Sequence, residues 1–288
     1  MTVSTINTNI GSYVALANLR TVSLQLQATE KKISTGYVVN DALDNGAIFG
    51  VAQGVRSQIS GSLAANQELG SFIGTVQVAA AAATGISNTL SDIRGILTHI
   101  SNPTLDANSL LQYQVQFESL VDQMKNFINS GNYNGTNLMS TGNALPIIQD
   151  GNGTVLTVIG TQFNIYSALQ GFLTGPAGVG PFNASPVPVA TWTSAANYLS
   201  VGGTFFSVSN SISTILNRIG TLNARATLQQ NFNKTVNDSL AVGLGALVDA
   251  DLAAESANLT AIQTKQQLST QSLSIANQNP SIYLKLFQ

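Results

Sequence analysis

The chain has 288 residues, a net charge of -2 and only 8% charged residues, about a third of the ~25% usual in soluble proteins. With 11 Lys+Arg against 13 Asp+Glu it offers no basic face to a phosphate backbone, which argues against nucleic-acid partners and against charge-rich disorder. The absence of cysteine and the single histidine, His99, exclude disulfides, thiol chemistry and a Cys/His zinc site.

What replaces the charges is neutral polarity, with Asn, Gln, Ser and Thr filling about a third of the chain. Such a surface suits a protein that ends packed against other protein. The opening stretch MTVSTINTNIGSYVALANLR has no early Lys or Arg followed by a continuous apolar run, so no Sec-type leader is expected. No run approaches the ~18 apolar residues of a membrane span, and no membrane insertion is expected. Of the seven prolines, none precedes Pro103 and only Pro280 follows Pro188. Both ends can therefore hold long helices while the centre is punctuated.

The first periodic stretch is Leu19, Val22, Leu26, Thr29 and Ile33, spaced 3 and 4 as in a heptad repeat. Ile10, Ala17 and Leu24 form an adjoining stripe, and Gly36 ends the pattern as a helix C-cap would. A Gly-rich patch containing Asn and Asp follows from Gly36 to Gly54. A second, longer helix follows from Val55 to Leu97, with Phe72, Ala79, Ile86, Ile93 and Ile100 as a second line beside the first. Asn102-Pro103 stops it. A third helix spans about Asp106 to Asn129, with Leu110, Gln114, Phe117, Val121, Met124 and Ile128 on one face. GNYNGTNLMSTG is turn chemistry. Thr154–Ile159 and Gln162–Tyr166, separated by Gly160-Thr161, suggest a hairpin. The Gly and Pro of GPAGVGPFNASPVPV argue against regular structure. The C-terminal stretch then carries one heptad phase from Ile212 to Ile275, 64 residues or ~96 Å as a single helix, with Gly243 and Gly245 as an expected hinge. Heptads at both ends suggest a coiled coil between them. An ordinary long helical bundle fits the same pattern, because Ala, Gly, Thr, Asn and Gln occupy several seam positions.

Several segments resemble bacterial flagellins. Ile6 to Arg20, INTNIGSYVALANLR, is similar to the flagellin opening I-N-T-N-x-x-x-x-x-A-x-x-x-L. Ile33-Ser34-Thr35-Gly36 resembles the L-S-S/T-G turn, and Asn40, Ala42, Asp44, Gly46-Ala47 and Gly50-Val51-Ala52 continue it. Asn132-Tyr133-Asn134-Gly135 matches the aromatic-Asn-Gly turn. Val248-Asp249-Ala250-Asp251-Leu252-Ala253-Ala254-Glu255 resembles I-x-D-A-D-x-A-x-E, and Asn277-Gln278-Asn279-Pro280 resembles N-Q-x-P. The resemblance covers about residues 1–137 and 205–288. It departs at Tyr37-Val38-Val39 and Leu43, where basic residues are usual, and at the Phe287-Gln288 terminus.

The resemblance implies a mainly α fold: a long coiled-coil or bundle rod from the N- and C-terminal regions, with a small β- and loop-rich central insertion. It implies an inner-tube domain from 1–36 and 248–288, a helical core from 37–137 and 205–247, and an outward insertion at 138–204. It also implies no enzyme and no cofactor, but a structural subunit of the extracellular flagellar filament. Such a chain is exported unfolded and self-assembles into a hollow helical filament for motility. Its partners would be other flagellin copies, the flagellar export apparatus, an export chaperone, the filament cap and hook junction proteins. The expected polymer interface is Ile6, Ile10, Leu19, Leu26, Ile33, Leu259, Ile262, Leu268, Leu273, Ile275, Leu284 and Leu286, apolar residues that one subunit would cover poorly. Asp92 stands where flagellins recognised by the innate immune receptor carry Arg, and Arg94 matches a neighbouring Arg, which implies weak receptor activation.

Other candidates weigh less. Asp249, Asp251 and Glu255 could form a carboxylate cluster, but acids at a helix start complement its dipole. Asp41 and Asp44 resemble half a calcium loop without its closing acid. A lone His99 suits a surface or structural role. Trp192, Phe182, Tyr198, Phe205 and Phe206 could line a sugar-binding face, or pack a small domain. Two rivals remain at this level. One is a hook–filament junction protein, told apart by copies per flagellum. The other is a flagellin-like surface glycan-binding protein, told apart by saturable glycan binding.

Overall fold

The computed structural model describes residues 8–102, 104–140, 144–165, 169, 199 and 203–286, with side chains omitted for 161, 162, 204 and 279–286. Five long helices are described: α1 (Ile10–Thr35), α2 (Ala42–Ile100), α3 (Ala107–Ser130), α4 (Thr204–Val248) and α5 (Leu252–Leu286). Between α3 and α4 lie two antiparallel hairpins, β1 (Asn132–Tyr133) with β2 (Thr136–Asn137), and β3 (Ala144–Ile148) with β4 (Val155–Ile159). The chain is thus mainly α with a small β insertion. It divides into two compact units, one of residues 1–57 with 238–288 and one of residues 58–237.

The second unit holds the larger core. Leu69, Phe72, Val76, Ala79, Ala83, Ile86, Leu90, Ile93 and Leu97 of α2 bury the two lines expected from the sequence. Phe117, Val121, Met124 and Ile128 of α3 and Phe205, Val208, Ile212, Ile215, Ile219 and Ala226 of α4 complete it. By length and composition α2 is apolar enough to cross a membrane. Of its most apolar stretch, 44% is buried inside the structure. Asp106 starts α3 as its N-cap, its carboxylate accepting the N–H groups of Asn108 and Ser109 at 3.0 Å each and the Ser109 hydroxyl at 2.6 Å. The Ser109 hydroxyl and these amides hold the Asp106 carboxyl below its usual range. The β1–β2 turn places Asn134 and Gly135 at φ 49° and 80°, the left-handed pair that Asn-Gly adopts readily.

The patch from Gly36 to Gly54 is largely helix, and two expectations further along the chain are corrected. Asp41 caps its first turn, and Asn45, in an extended conformation, caps the chain again by accepting from Ala47 and Ile48 N–H at 3.1 Å. Thr154–Ile159 is the second strand of its hairpin, not the first, because the turn is Asp150–Gly153. There Gly153 sits at φ 81°, and Asp150 accepts from the N–H groups of Asn152 and Thr154. Pro146 hides the first strand in the sequence, although an edge strand tolerates it. The long C-terminal heptad does not bend at Gly243 and Gly245, which lie within α4. It stops at Val248, and Asp251 caps a new helix by accepting from Ala253 and Ala254 N–H at 3.0 and 3.1 Å.

Candidate polymer interface

In the first unit α1 and α5 run antiparallel. Asn9 donates from its side-chain amide to the Ala276 carbonyl at 2.7 Å, and Ser12 donates to Asn277 Oδ1 at 2.8 Å. At the other end Lys32 Nζ meets Glu255 Oε1 at 2.9 Å. The face of α1 turned to α5 is the expected stripe: Leu19, Val22, Leu26 and Ile33 are half-buried and Thr29 is buried. The face of α5 is not the expected one. Its inward residues are Glu255, Leu259, Ile262, Gln266, Ser269, Leu273 and Ala276. The phase read from the sequence, through Ala254, Ala261, Leu268 and Ile275, points outward, because the break at Asp249–Asp251 resets the register.

The interface residues therefore fall into two sets. Leu19, Leu26, Ile33, Leu259, Ile262 and Leu273 lie along the seam inside the chain, with Ile262 only 4% exposed. Ile10, Leu268 and Ile275 lie on outer faces, Leu268 at 63%. Leu24, on the same sequence stripe as Ile10, and Tyr13 and Val14, which that stripe did not include, join Ile10 as large exposed apolar residues of α1. Ile6 lies outside the described residues, and Leu284 and Leu286 are placed on α5 without described side chains. A groove of about 340 Å³ runs beside the seam, bordered by Ala15, Asn18 and Val22 of α1 and by Leu268, Ser269 and Ser272 of α5.

Where α1 meets α2 and α4 meets α5, the two connectors form a clip. Gly36, at φ 74°, ends α1 by donating its N–H to the Lys32 carbonyl at 2.9 Å. Tyr37 then pairs with Asp249 as an antiparallel bridge, Val38 N–H donates to Val248 O at 2.7 Å and Ala250 N–H to Gly36 O at 2.9 Å. Beneath the bridge Val39, Ala52 and Val248 form a small core with Ile48, Phe49 and Leu244 against it. Lys31 Nζ holds Asp41 and Asp44, each at 2.7 Å. Its hydrogen bonds push both carboxyls below their usual range, and these two acids raise Lys31 in return. Lys32 does the same to Glu255. Of the acids considered for metal binding, Asp41, Asp44, Asp251 and Glu255 act as helix caps or ion-pair partners, and Asp249 takes part in the bridge through its backbone.

The remaining candidates sit in the second unit. Asp92 and Arg94 are both exposed on α2, and the Arg94 guanidinium lies 5.8 Å from the Phe205 ring centroid. Phe205 is buried, and Phe206 packs partly buried against the core, edge-on to Phe205 at 5.9 Å. Phe182, Trp192 and Tyr198 lie outside the described residues. His99 stacks on Tyr113 with centroids 5.0 Å apart and the rings nearly parallel. Sequence reasoning missed a buried amide cluster. Asn233 donates to Asn66 Oδ1 at 3.1 Å and to the Gln149 carbonyl at 2.6 Å, while Gln229 donates to Asn233 Oδ1 at 3.0 Å. The signal was three amides in the heptad phases, Asn66 in α2 and Gln229 and Asn233 in α4.

Comparison with known proteins accords with this architecture. The profile of the bacterial flagellin N-terminal helical region matches residues 6–144, and that of the C-terminal helical region matches residues 207–287. Flagellin FljK of Caulobacter vibrioides is 32% identical over the whole of both chains. A flagellin of Brucella melitensis is 27% identical over 99% of each. A crystal structure of Bacillus cereus flagellin covers 60% of this chain and 86% of that chain, at 18% identity and a TM-score of 0.38. This chain belongs to the bacterial flagellin family, a structural family whose members polymerise as copies into the extracellular flagellar filament.

Proposed function

We propose that this flagellin is exported unfolded and self-assembles into a hollow helical filament for motility. Segments 1–36 and 248–288 would form the inner tube, and the outer faces of α1 and α5 would carry the contacts between copies. The observation behind this reading is the row of large apolar side chains that the chain leaves uncovered there: Ile10, Tyr13, Val14 and Leu24 on α1, with Leu268 and Ile275 on α5. Exposed apolar rows on both members of one helix pair suit heterologous contacts, which propagate into an open filament. Helices that gain their second cover only on docking can pass a narrow channel unfolded and order at the growing tip. The filament cap, export chaperone and hook junction proteins are the partners this route requires.

Electron microscopy of the purified chain tests the reading. Hollow fibres are expected from the wild type, and none from a Leu268→Glu/Ile275→Glu variant whose helical content is unchanged. Fibres of normal number from that variant would remove the outer faces from the interface. We also propose weak activation of the innate flagellin receptor, since Asp92 offers an exposed carboxylate where a cation would be needed. A reporter-cell response equal to that of a strongly activating flagellin would refute this.

A further inference from the structure

We infer that the outer face of the β3–β4 hairpin is the docking surface for residues 170–198 of the same chain. Adjacent residues of a strand point to opposite sides of the ribbon. The register pairs Leu145 with Val158 and Ile147 with Leu156. These four turn to the core: Ile147, Leu156 and Val158 are buried there, and Leu145 packs against it. The alternate pairs are Ala144 with Ile159, Pro146 with Thr157 and Ile148 with Val155, and all six residues are exposed. Thr157 is the one polar residue on that side, and Ile148, Val155 and Ile159 are 45%, 47% and 47% exposed. An antiparallel ribbon with one solvated face alternates apolar and polar side chains, whereas strands apolar on both sides are covered on both. The nearest acid in sequence, Asp150, is engaged by the hairpin turn, where it accepts from Asn152 and Thr154 N–H.

The occupant follows from where the chain leaves this core and where it returns. Residues 170–198 lie outside the described residues. The chain enters them from Leu169, fully buried in the core that the inner side of the hairpin covers, and returns at Leu199, packed against that core. At full extension the segment reaches roughly 100 Å, against ~17 Å for five paired residues, so its tethers leave the whole face within range. Its composition suits an apolar, uncharged face. It has no Asp, Glu, Lys or Arg, and its centre, 181–192, reads PFNASPVPVATW, with Phe182, Val187, Val189 and Trp192. A segment held at both ends meets the face at an effective concentration on the order of millimolar, which favours it over a second copy in dilute solution. The contact lies within one chain and does not depend on self-assembly.

The absence of cysteine and the single tryptophan, Trp192, allow two readouts on full-length monomers. The thiol of a Val155→Cys variant should react with a small reagent about fivefold more slowly than that of Leu111→Cys, whose position on α3 is 45% exposed, at every protein concentration. Adding Phe182→Ser and Trp192→Ser to Val155→Cys should restore the reference rate. Equal rates for the two single-thiol variants overturn the inference. Protection that rises with protein concentration, or that arises only in fibres, overturns it in favour of a second copy. Protection that survives Phe182→Ser/Trp192→Ser overturns the assignment to 170–198. The converse variant, Ile148→Lys/Val155→Glu, keeps a favourable opposite-charge pair across the strands and removes the apolar face. With helical content unchanged, it should raise acrylamide quenching of Trp192 about twofold and shift its emission to the red. Unchanged quenching and emission overturn the inference independently of the thiol label.

Discussion

The two compact units are built from the same kind of helix but close their cores differently. In the unit of residues 58–237, α2 buries two lines of side chains, because α3, α4 and the β3–β4 hairpin supply partners for both. In the unit of residues 1–57 and 238–288, α1 and α5 bury one line each and leave the second in solvent. The buried residues of α1 are Ala15 and Thr29 alone. The first kind of core is complete in one chain. The second buries one line and leaves Ile10, Tyr13, Val14, Leu24, Leu268 and Ile275 exposed. The contrast teaches that a second apolar stripe is informative only once the number of neighbouring elements is known.

The strongest way to break the contrast is to truncate one side chain of each kind. Ile93→Ala should destabilise the monomer by about 2–5 kcal/mol, since Ile93 is fully buried and the cavity cannot collapse easily. Leu268→Ala should leave monomer stability within about 0.5 kcal/mol, because its side chain is solvated there, and should act on fibre formation instead. Thermal unfolding of both monomers decides the matter, and equal losses would erase the distinction. Gly151→Ala ranks next. A Cβ at Gly151 would lie 2.7 Å from the Gln58 carbonyl oxygen and 2.8 Å from Ser62 N, and one at Gly61 would lie 2.8 Å from the Gly151 oxygen. The hairpin turn therefore rests on bare α2 backbone. Its displacement should lower stability by about 1–3 kcal/mol, visible as a lower melting temperature with α1 and α5 still helical.

The sequence displayed the helices because their periods are long, and it displayed α3 to within a residue of each end because Asp106 and Gly131 mark them. What it hid follows from physics that periodicity does not carry. The seam of α5 could not be placed, since a continuous 3-4 series through Val248 survives a helix break unchanged, whereas the three residues Asp249–Asp251 turn the following helix onto another face. The interface residues were legible as apolar residues but not as two sets, because burial depends on that register. The first strand of the second hairpin was concealed by Pro146. The clip was half legible: Gly36 and the acids of 248–255 stood out, but their pairing joins residues more than 200 positions apart.

The amide cluster offers a subtler test of the closed unit. Asn233→Ala would leave Asn66 and the Gln149 carbonyl without their donor, for a loss of about 1–3 kcal/mol. Asn237, one turn further along α4, is buried with neither side-chain amide atom hydrogen-bonded, so Asn237→Leu should be neutral or stabilising. Chemical denaturation of the two variants separates a seam specified by its polar cluster from one that merely tolerates amides.

The smallest effect, and the one that reaches the half-open unit, is that of pH on the clip. Asp41, Asp44 and Glu255 each have a folded-state carboxyl pushed below the usual range, the first two by hydrogen bonds from Lys31 and the third by one from Lys32. A depressed carboxyl adds stability that is fully present above its unfolded value, ~4, and is lost as pH falls through its lower folded value. The raised Lys31 works in the opposite sense. Its contribution holds below its ordinary value and disappears only as strong alkali takes pH past the folded one. Acid should therefore loosen the clip in a window beginning just under pH ~4, with neutral and mildly alkaline solutions equivalent. These pairs are solvent-accessible and so individually weak, which makes a local readout necessary. The amide hydrogens of Val38 and Ala250, bonded to Val248 and Gly36, should exchange faster in that window once the intrinsic pH dependence of exchange is removed. A Lys31→Met variant should show faster exchange already at neutral pH and a weaker response to acid. If acid instead released the amides of α2 and α4 around Ile93 and Ile212 first, the closed unit would be the labile one and the contrast between the two cores would be reversed.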